Sequence, residues 1–353
     1  MITIDGSYNE GGGQIIRTAL ALSTITKKPF KAENIRQGRP KSGLKSQHLH
    51  CIKALEELCN AKTEGATLGS ESITYIPGKL QGKTLNIDIG TAGSISLFLQ
   101  AILIPCILAE KKSIINIKGG TDGKWAIPFD YFNNIILPQI KKYTNKIEAR
   151  ILKRGYYPKG GGEIEIKISP RFNIENKHNA PQINLQNQGE ILLIKGISHA
   201  SINLEAPKVA DRQANSAELS LAKLKCPIAI QKAYYNTACP GSGIVLWALC
   251  GDKELNDINP VILGGDALGE RYKKSENVGK EAADILFKEL ESKAPVDNHT
   301  ADNLIPFLAL FGGTINVSKI TKHTLTNIYV CEKFLGKIFK VEGNNIKTFI
   351  NKA

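Results

Sequence analysis

The chain has 353 residues, enough to bury a substantial core without disulfide or metal staples and suited to two domains or one large domain with an insertion. Its seven cysteines, Cys51, Cys59, Cys106, Cys226, Cys239, Cys250 and Cys331, are odd in number and scattered, which excludes a C-x-x-C zinc or redox centre and fits a reduced, cytoplasmic protein. A formal charge of +13 favours a polyanionic partner such as nucleic acid, although the lysines are dispersed along the chain.

In chain order, residues 1–4 read as a strand, Gly11-Gly12-Gly13 as a tight loop, residues 14–23 as a helix and residues 29–35 as a second strand. The start, Met1-Ile2-Thr3-Ile4-Asp5, has no basic segment followed by a long apolar run, so neither signal peptide nor anchor is expected. Residues 42–59 read as an amphipathic helix. The pattern then returns: a strand over 84–89, the loop Gly90-Thr91-Ala92-Gly93-Ser94, a helix over 95–103, a strand over 113–117 and a helix over 129–143. The most apolar stretch, 95–108, is broken by Ser96, Gln100 and Pro105, and no membrane partner is expected. Glu163-Ile164-Glu165-Ile166-Lys167-Ile168 alternates as a half-exposed strand. A third, shorter copy has helices over 300–311 and 324–335 around a strand over 314–317.

These copies predict an α+β fold of repeated βαβαββ units with helices packed beside sheets, plus a smaller inserted α/β domain. The repeat-built domain takes residues 1–182 and 293–353, and residues 183–292 contain the insertion. Within the latter, strands are expected over 191–196, 228–234 and 243–249, and helices over 206–224 and 277–290.

Several segments could carry chemistry. Glu10-Gly11-Gly12-Gly13-Gln14-Ile15-Ile16-Arg17 sets glycines at a helix start, where free amides suit a phosphate, between a carboxylate able to hold a metal and a cation able to hold an anion. It lacks the spacing of a P-loop or a dinucleotide fingerprint. Arg36-Gln37-Gly38-Arg39-Pro40-Lys41 gathers cations ahead of the next helix. His48 and His50 lie about 200° apart on that helix and cannot share a metal; His48 reads as a core-edge residue, with Gln47 beside it able to reach a ligand. His323 opens the last amphipathic helix, where the dipole disfavours imidazolium and keeps the ring nucleophilic.

Together with Arg154-Gly155-Tyr156-Tyr157-Pro158-Lys159-Gly160-Gly161-Gly162, Thr300-Ala301-Asp302-Asn303 and His323-Thr324-Leu325-Thr326-Asn327, the glycine segment makes the chain resemble, nearly end to end, the RNA 3'-terminal phosphate cyclase family. The resemblance implies an ATP-dependent enzyme that converts an RNA 3'-terminal phosphate into a 2',3'-cyclic phosphodiester, through enzyme-histidine-AMP and RNA-adenylate intermediates. It makes His323 the nucleophile and gives Glu10 a divalent metal, magnesium or manganese. It sets Arg17, Arg36, Arg39 and Gln47 around phosphates and RNA, and Gln100, Pro128, His299, Thr300, Ala301, Asp302 and Asn303 around the nucleotide. Pro306 lies inside the helix carrying that run and deprives the Asp302 carbonyl of its usual donor, so irregularity is expected there. The implied partner is RNA with a 3'-terminal phosphate; oligomeric state is not legible. Rival readings are a non-catalytic ribosome-biogenesis relative of the same fold and an enolpyruvyl transferase built on similar repeats; the presence together of His323, Glu10 and Arg17 favours the cyclase.

Overall fold

The first repeat runs β1 (Ile2–Asp5), α1 (Gln14–Thr26), β2 (Phe30–Glu33), α2 (Ser46–Cys59), β3 (Lys62–Glu64) and β4 (Ile73–Ile76) in the computed structural model, which describes residues 1–90 and 92–349. Thr91 of the predicted second glycine loop lies outside the described residues. β1 and β2 pair in parallel across the α1 crossover, and β4 and β3 extend the sheet antiparallel.

The second repeat is β5 (Thr84–Asp88), α3 (Ile95–Ile107), β6 (Ser113–Gly119), α4 (Phe129–Tyr131), α5 (Leu137–Ile140), β7 (Thr144–Lys153) and β8 (Gly162–Pro170). β9 (Ile183–Leu185) opens a third repeat, which the chain leaves at once for β10 (Glu190–Ser201), α6 (Val209–Leu221), β11 (Ile228–Tyr235), β12 (Ser242–Gly251), β13 (Val261–Leu268) and α7 (Ser275–Glu291). It resumes with α8 (Asn298–Phe311), β14 (Gly313–Asn316), α9 (Lys322–Leu335), β15 (Phe339–Glu342) and β16 (Asn345–Thr348).

Strand orders β1-β2-β4-β3, β5-β6-β8-β7 and β9-β14-β16-β15 are the same order three times, so the α+β repeat architecture is present in full. The third copy is therefore not shorter, contrary to expectation. Its first strand, β9, pairs in parallel with β14 but lies within the 183–292 stretch expected to hold the insertion. The interposed segment has its own sheet, β11-β10-β12-β13, against which α6 and α7 pack.

Two helices differ from their predicted extents for local reasons. α2 starts at Ser46, not at residue 42, because Leu44 exchanges backbone hydrogen bonds with Ser70 and Gly69, and Gly43, at φ +73°, turns the chain into that pairing. The 129–143 helix contains a π turn over Phe132–Ile136, whose wide Leu137 N–H to Phe132 carbonyl bond precedes Pro138, where a regular helix would set the ring against a carbonyl.

The helices meet behind the sheets. α1 is buried along nearly its whole length because it packs on α2 of its own repeat, on α3 of the second and on α9 of the third. Ile, Leu and Ala on its inner faces, with small Thr and Ser between them, suit that central position. The N-terminus of α1, with Gln14 and Arg17, is thereby fixed where elements of all three repeats converge.

Candidate active site

His323 is the second residue of α9, a helix whose start is doubly secured. The Thr321 hydroxyl accepts the Thr324 amide, and both threonine hydroxyls donate to Asp302 Oδ1, at 2.7 and 2.6 Å. Burial pushes the Asp302 carboxyl above its ordinary range, opposed by the two hydroxyls. From α1, the Gln14 amide Nε2 donates to the His323 carbonyl at 3.1 Å, which leaves its Oε1 2.6 Å from His323 Nδ1. That orientation puts the ring proton on Nδ1 and aims Nε2 at Glu10 Oε2, 3.1 Å away. Glu10 Oε2 is also 3.3 Å from Arg39 Nη2.

The glycine loop is shaped by close neighbours. A Cβ on Gly13 would come within 2.1 Å of His48 Nε2 and 3.1 Å of Arg17 Nη1, so only glycine fits there. His48 is buried, and its Nδ1 accepts the Lys45 amide at 2.9 Å. Burial, with Arg17, Arg36 and Lys45 nearby, pushes its pKa down to about 3, so the neutral ring presents Nε2–H toward the loop. His48 is thus a buried histidine, as its face of the helix predicted, yet it borders the site.

Arg17 is buried and donates through Nε to Gln100 Oε1 at 2.9 Å; Gln100 Nε2 donates to Asn303 Oδ1 at 3.1 Å, and Asn303 Nδ2 to the His299 carbonyl at 2.8 Å. Burial, with Arg36 beside it, lowers the Arg17 pKa to about 10. Arg36 sits at φ +58°, its Nε buried without a hydrogen-bond partner. Among the described residues neither guanidinium has a carboxylate partner. Two clustered guanidiniums without carboxylate partners, Arg17 of them against Gly13, favour an anion of high charge. Gln47 donates to the Ser94 carbonyl at 2.6 Å, tying α2 to the start of α3.

The residues expected around the nucleotide divide into two groups. Gln100, Asp302 and Asn303 line one cavity together with Thr18, Ser96, Phe132, Phe307 and Asn327. Thr300 and Ala301 are fully buried, and Thr300 is committed to Asp297 through its amide and hydroxyl. Pro128 is buried at the start of α4, and His299 stands edge-on to Tyr131 at 5.9 Å. The irregularity expected at Pro306 does not appear: α8 runs unbroken, and Asn327 Nδ2 donates to the Asp302 carbonyl at 2.6 Å in place of the missing helix amide.

Reading residue types along the chain misses a second cluster. Arg154 is buried between Asp122 Oδ2 at 2.9 Å and Asp130 Oδ2 at 2.7 Å. His199 of β10 lies 3.3 Å from Asp122 Oδ1 and 2.7 Å, through Nδ1, from the Tyr156 hydroxyl. Burial would raise the Asp122 carboxyl, but Arg154 and His199 more than offset this and hold it below the carboxylate range. The glycine-rich tract after Arg154 therefore joins the second repeat to the interposed segment: Cys239 Sγ donates to the Tyr156 carbonyl, and Gly241 leaves room for the Tyr156 ring. Spacings of 122, 130, 154 and 199 carry no periodic signal, and buried charge of this kind is visible only in the fold.

The fold and site define a repeat-built α+β protein with a histidine beside a glycine loop and a cluster of arginines. A family model described as RNA 3'-terminal phosphate cyclase matches residues 8–341. Among curated proteins, the RNA 3'-terminal phosphate cyclase of Pyrococcus furiosus is 47% identical over 343 residues, covering 97% of this chain and 96% of its own. Those of Archaeoglobus fulgidus and Saccharolobus islandicus are 42% and 43% identical, covering 98% and 97% of this chain and 99% and 97% of theirs. The chain belongs to the RNA 3'-terminal phosphate cyclase family.

Proposed function

We propose that the chain is an RNA 3'-terminal phosphate cyclase that uses ATP as co-substrate and His323 as the nucleophile. The observation that carries this reading is the pair of Gln14 contacts on His323, which hold the proton on Nδ1 and turn Nε2 toward the glycine loop. Nε2, the ring nitrogen that Gln14 leaves unprotonated, is the one free to attack, and Glu10 Oε2 faces it at 3.1 Å. Nε2 then bonds the α-phosphorus of ATP and pyrophosphate departs. The adenylate passes to an oxygen of the RNA 3'-phosphate, which frees the histidine. The ribose 2'-hydroxyl attacks the activated phosphorus, closes the cyclic ester and expels AMP.

Arg17, Arg36, Arg39 and Gln47 would hold phosphate oxygens, and Gln100, Asp302 and Asn303 would contact the nucleotide, with Pro128 and His299 nearby. Burial of Thr300 and Ala301 suits support of that pocket. Glu10, the carboxylate beside His323, would supply a hard oxygen ligand to a divalent ion such as magnesium or manganese. Such an ion would neutralise triphosphate charge. No helix among the described residues is long and apolar enough to cross a membrane, and we assign the chain to the cytoplasm.

Incubation with α-labelled ATP and magnesium or manganese, followed by a denaturing gel, tests the reading. Acid-labile label is expected on the wild type and not on His323→Ala. Absence of label from both overturns it.

A further inference from the structure

The three most exposed aromatic side chains among the described residues, Trp125 at 89%, Tyr157 at 75% and Tyr272 at 91%, all stand on loops around the Arg154 cluster. The loops are tied together. Asp122 and Tyr156 form a β-bridge, the Thr121 amide donates to the Gly155 carbonyl at 2.9 Å, and Lys124 Nζ pairs with Glu270 Oε1 at 3.5 Å. Trp125 and Tyr272 hold φ of +72° and +68°, a region that bulky residues rarely occupy and that here keeps both rings outside the core. Two of the rings have an exposed cation beside them, Lys124 at 5.9 Å from that of Trp125 and Arg271 at 5.0 Å from that of Tyr272, and exposed Lys159 follows Tyr157 by two positions in the chain.

This surface adjoins the candidate site. The Trp125 loop leads into Pro128 and α4, whose Tyr131 faces His299; β13, which leads to Tyr272, bonds α8 through the Gly264 amide and Asp297 at 3.1 Å. Exposed rings interleaved with cations are the elements of a sequence-tolerant single-strand platform: bases stack on the rings and cations track the backbone.

We propose that these loops carry the single-stranded RNA upstream of the 3'-phosphate, with bases stacked on Trp125, Tyr157 and Tyr272 and phosphates beside Lys124, Lys159 and Arg271. The inference rests on the cyclase reading for the position of the RNA end, but the test separates the two. The chain's other tryptophan, Trp247, is buried, so fluorescence quenching by a stacked base reports on Trp125. Titration with a 3'-phosphorylated RNA of about twelve nucleotides should quench the wild type and not Trp125→Phe. In Trp125→Ala/Tyr272→Ala, affinity for that RNA should fall roughly ten-fold or more, with affinity for a dinucleotide 3'-phosphate retained and with recovery in Trp125→Phe/Tyr272→Phe. Absence of quenching, an equal loss for both lengths, or no loss overturns the proposal. Quenching without cyclised product leaves the platform standing and removes the cyclase reading; cyclised product without quenching does the reverse.

Discussion

Gln14 reaches His323 across 309 positions of sequence, and in the proposed mechanism this single amide sets which ring nitrogen acts. Replacing it with leucine keeps the approximate size and removes both contacts. The rate of label transfer from α-labelled ATP to Gln14→Leu should fall roughly ten-fold, the equivalent of one hydrogen bond of about 1.4 kcal/mol, with little change in Tm. A rate within two-fold of wild type would show that the amide does not control the ring. His48 allows a pH test. Its pKa is pushed from 6.5 to about 3 by burial and the nearby cations, so below pH 6.5 the unfolded chain takes a proton that the folded chain refuses. Stability from the neutral ring is complete above pH 6.5 and is lost as pH falls toward 3, at up to about 1.4 kcal/mol per unit. The Tm of His48→Gln should therefore drop less than that of wild type between pH 7 and pH 4.5. Glu10, Arg17 and His323 stand out in the sequence because each sits at a helix start or in a glycine loop, and the structure brings Glu10 and His323 together. The contact of Gln14 with His323 does not stand out, because it depends on a partner from another repeat.

At the level of elements, α8 and α9 are joined where α8 is weakest. Pro306 leaves the Asp302 carbonyl without a helix donor, and Asn327 supplies one while its own Oδ1 accepts from Thr18 at 2.7 Å. Asn327→Ala should cost about 2 kcal/mol by leaving that buried carbonyl unpaired, seen as a lowered midpoint in denaturant unfolding. Adding Pro306→Ala restores a backbone N–H to the carbonyl, so the double variant should be more stable than the sum of the single changes predicts. Strict additivity would show that the asparagine is not acting as the missing donor. Sequence periodicity found both helices because their apolar stripes are long. It predicted a disturbance at Pro306 because the compensating side chain belongs to a different helix. It likewise began α2 too early, since the pairing of Leu44 with Gly69 and Ser70 is a tertiary contact.

For the whole molecule, the decisive feature is that the third repeat is interrupted between β9 and α8. A three-residue strand, Ile183–Leu185, with apolar side chains only at its two ends, could not announce itself as the partner of a strand more than a hundred positions away, whereas the first two copies were legible because nothing separates their elements. An insertion held this way needs an anchor, and the Arg154 cluster supplies it: Asp122 and Asp130 from the second repeat, and His199 from β10, meet on one guanidinium or its partners. Arg154→Met should be strongly destabilising, by about 3–5 kcal/mol, because it leaves two carboxylates buried and unpaired. The same change combined with Asp122→Asn and Asp130→Asn removes those charges and should recover most of the loss. Hydrogen exchange distinguishes an anchor from a merely local contact. In Arg154→Met, amides of β10–β13 should lose protection before those of β1–β4 do, because the interposed sheet is the part the cluster attaches. Equal loss in both sheets would mean that the cluster stabilises the molecule as one cooperative unit.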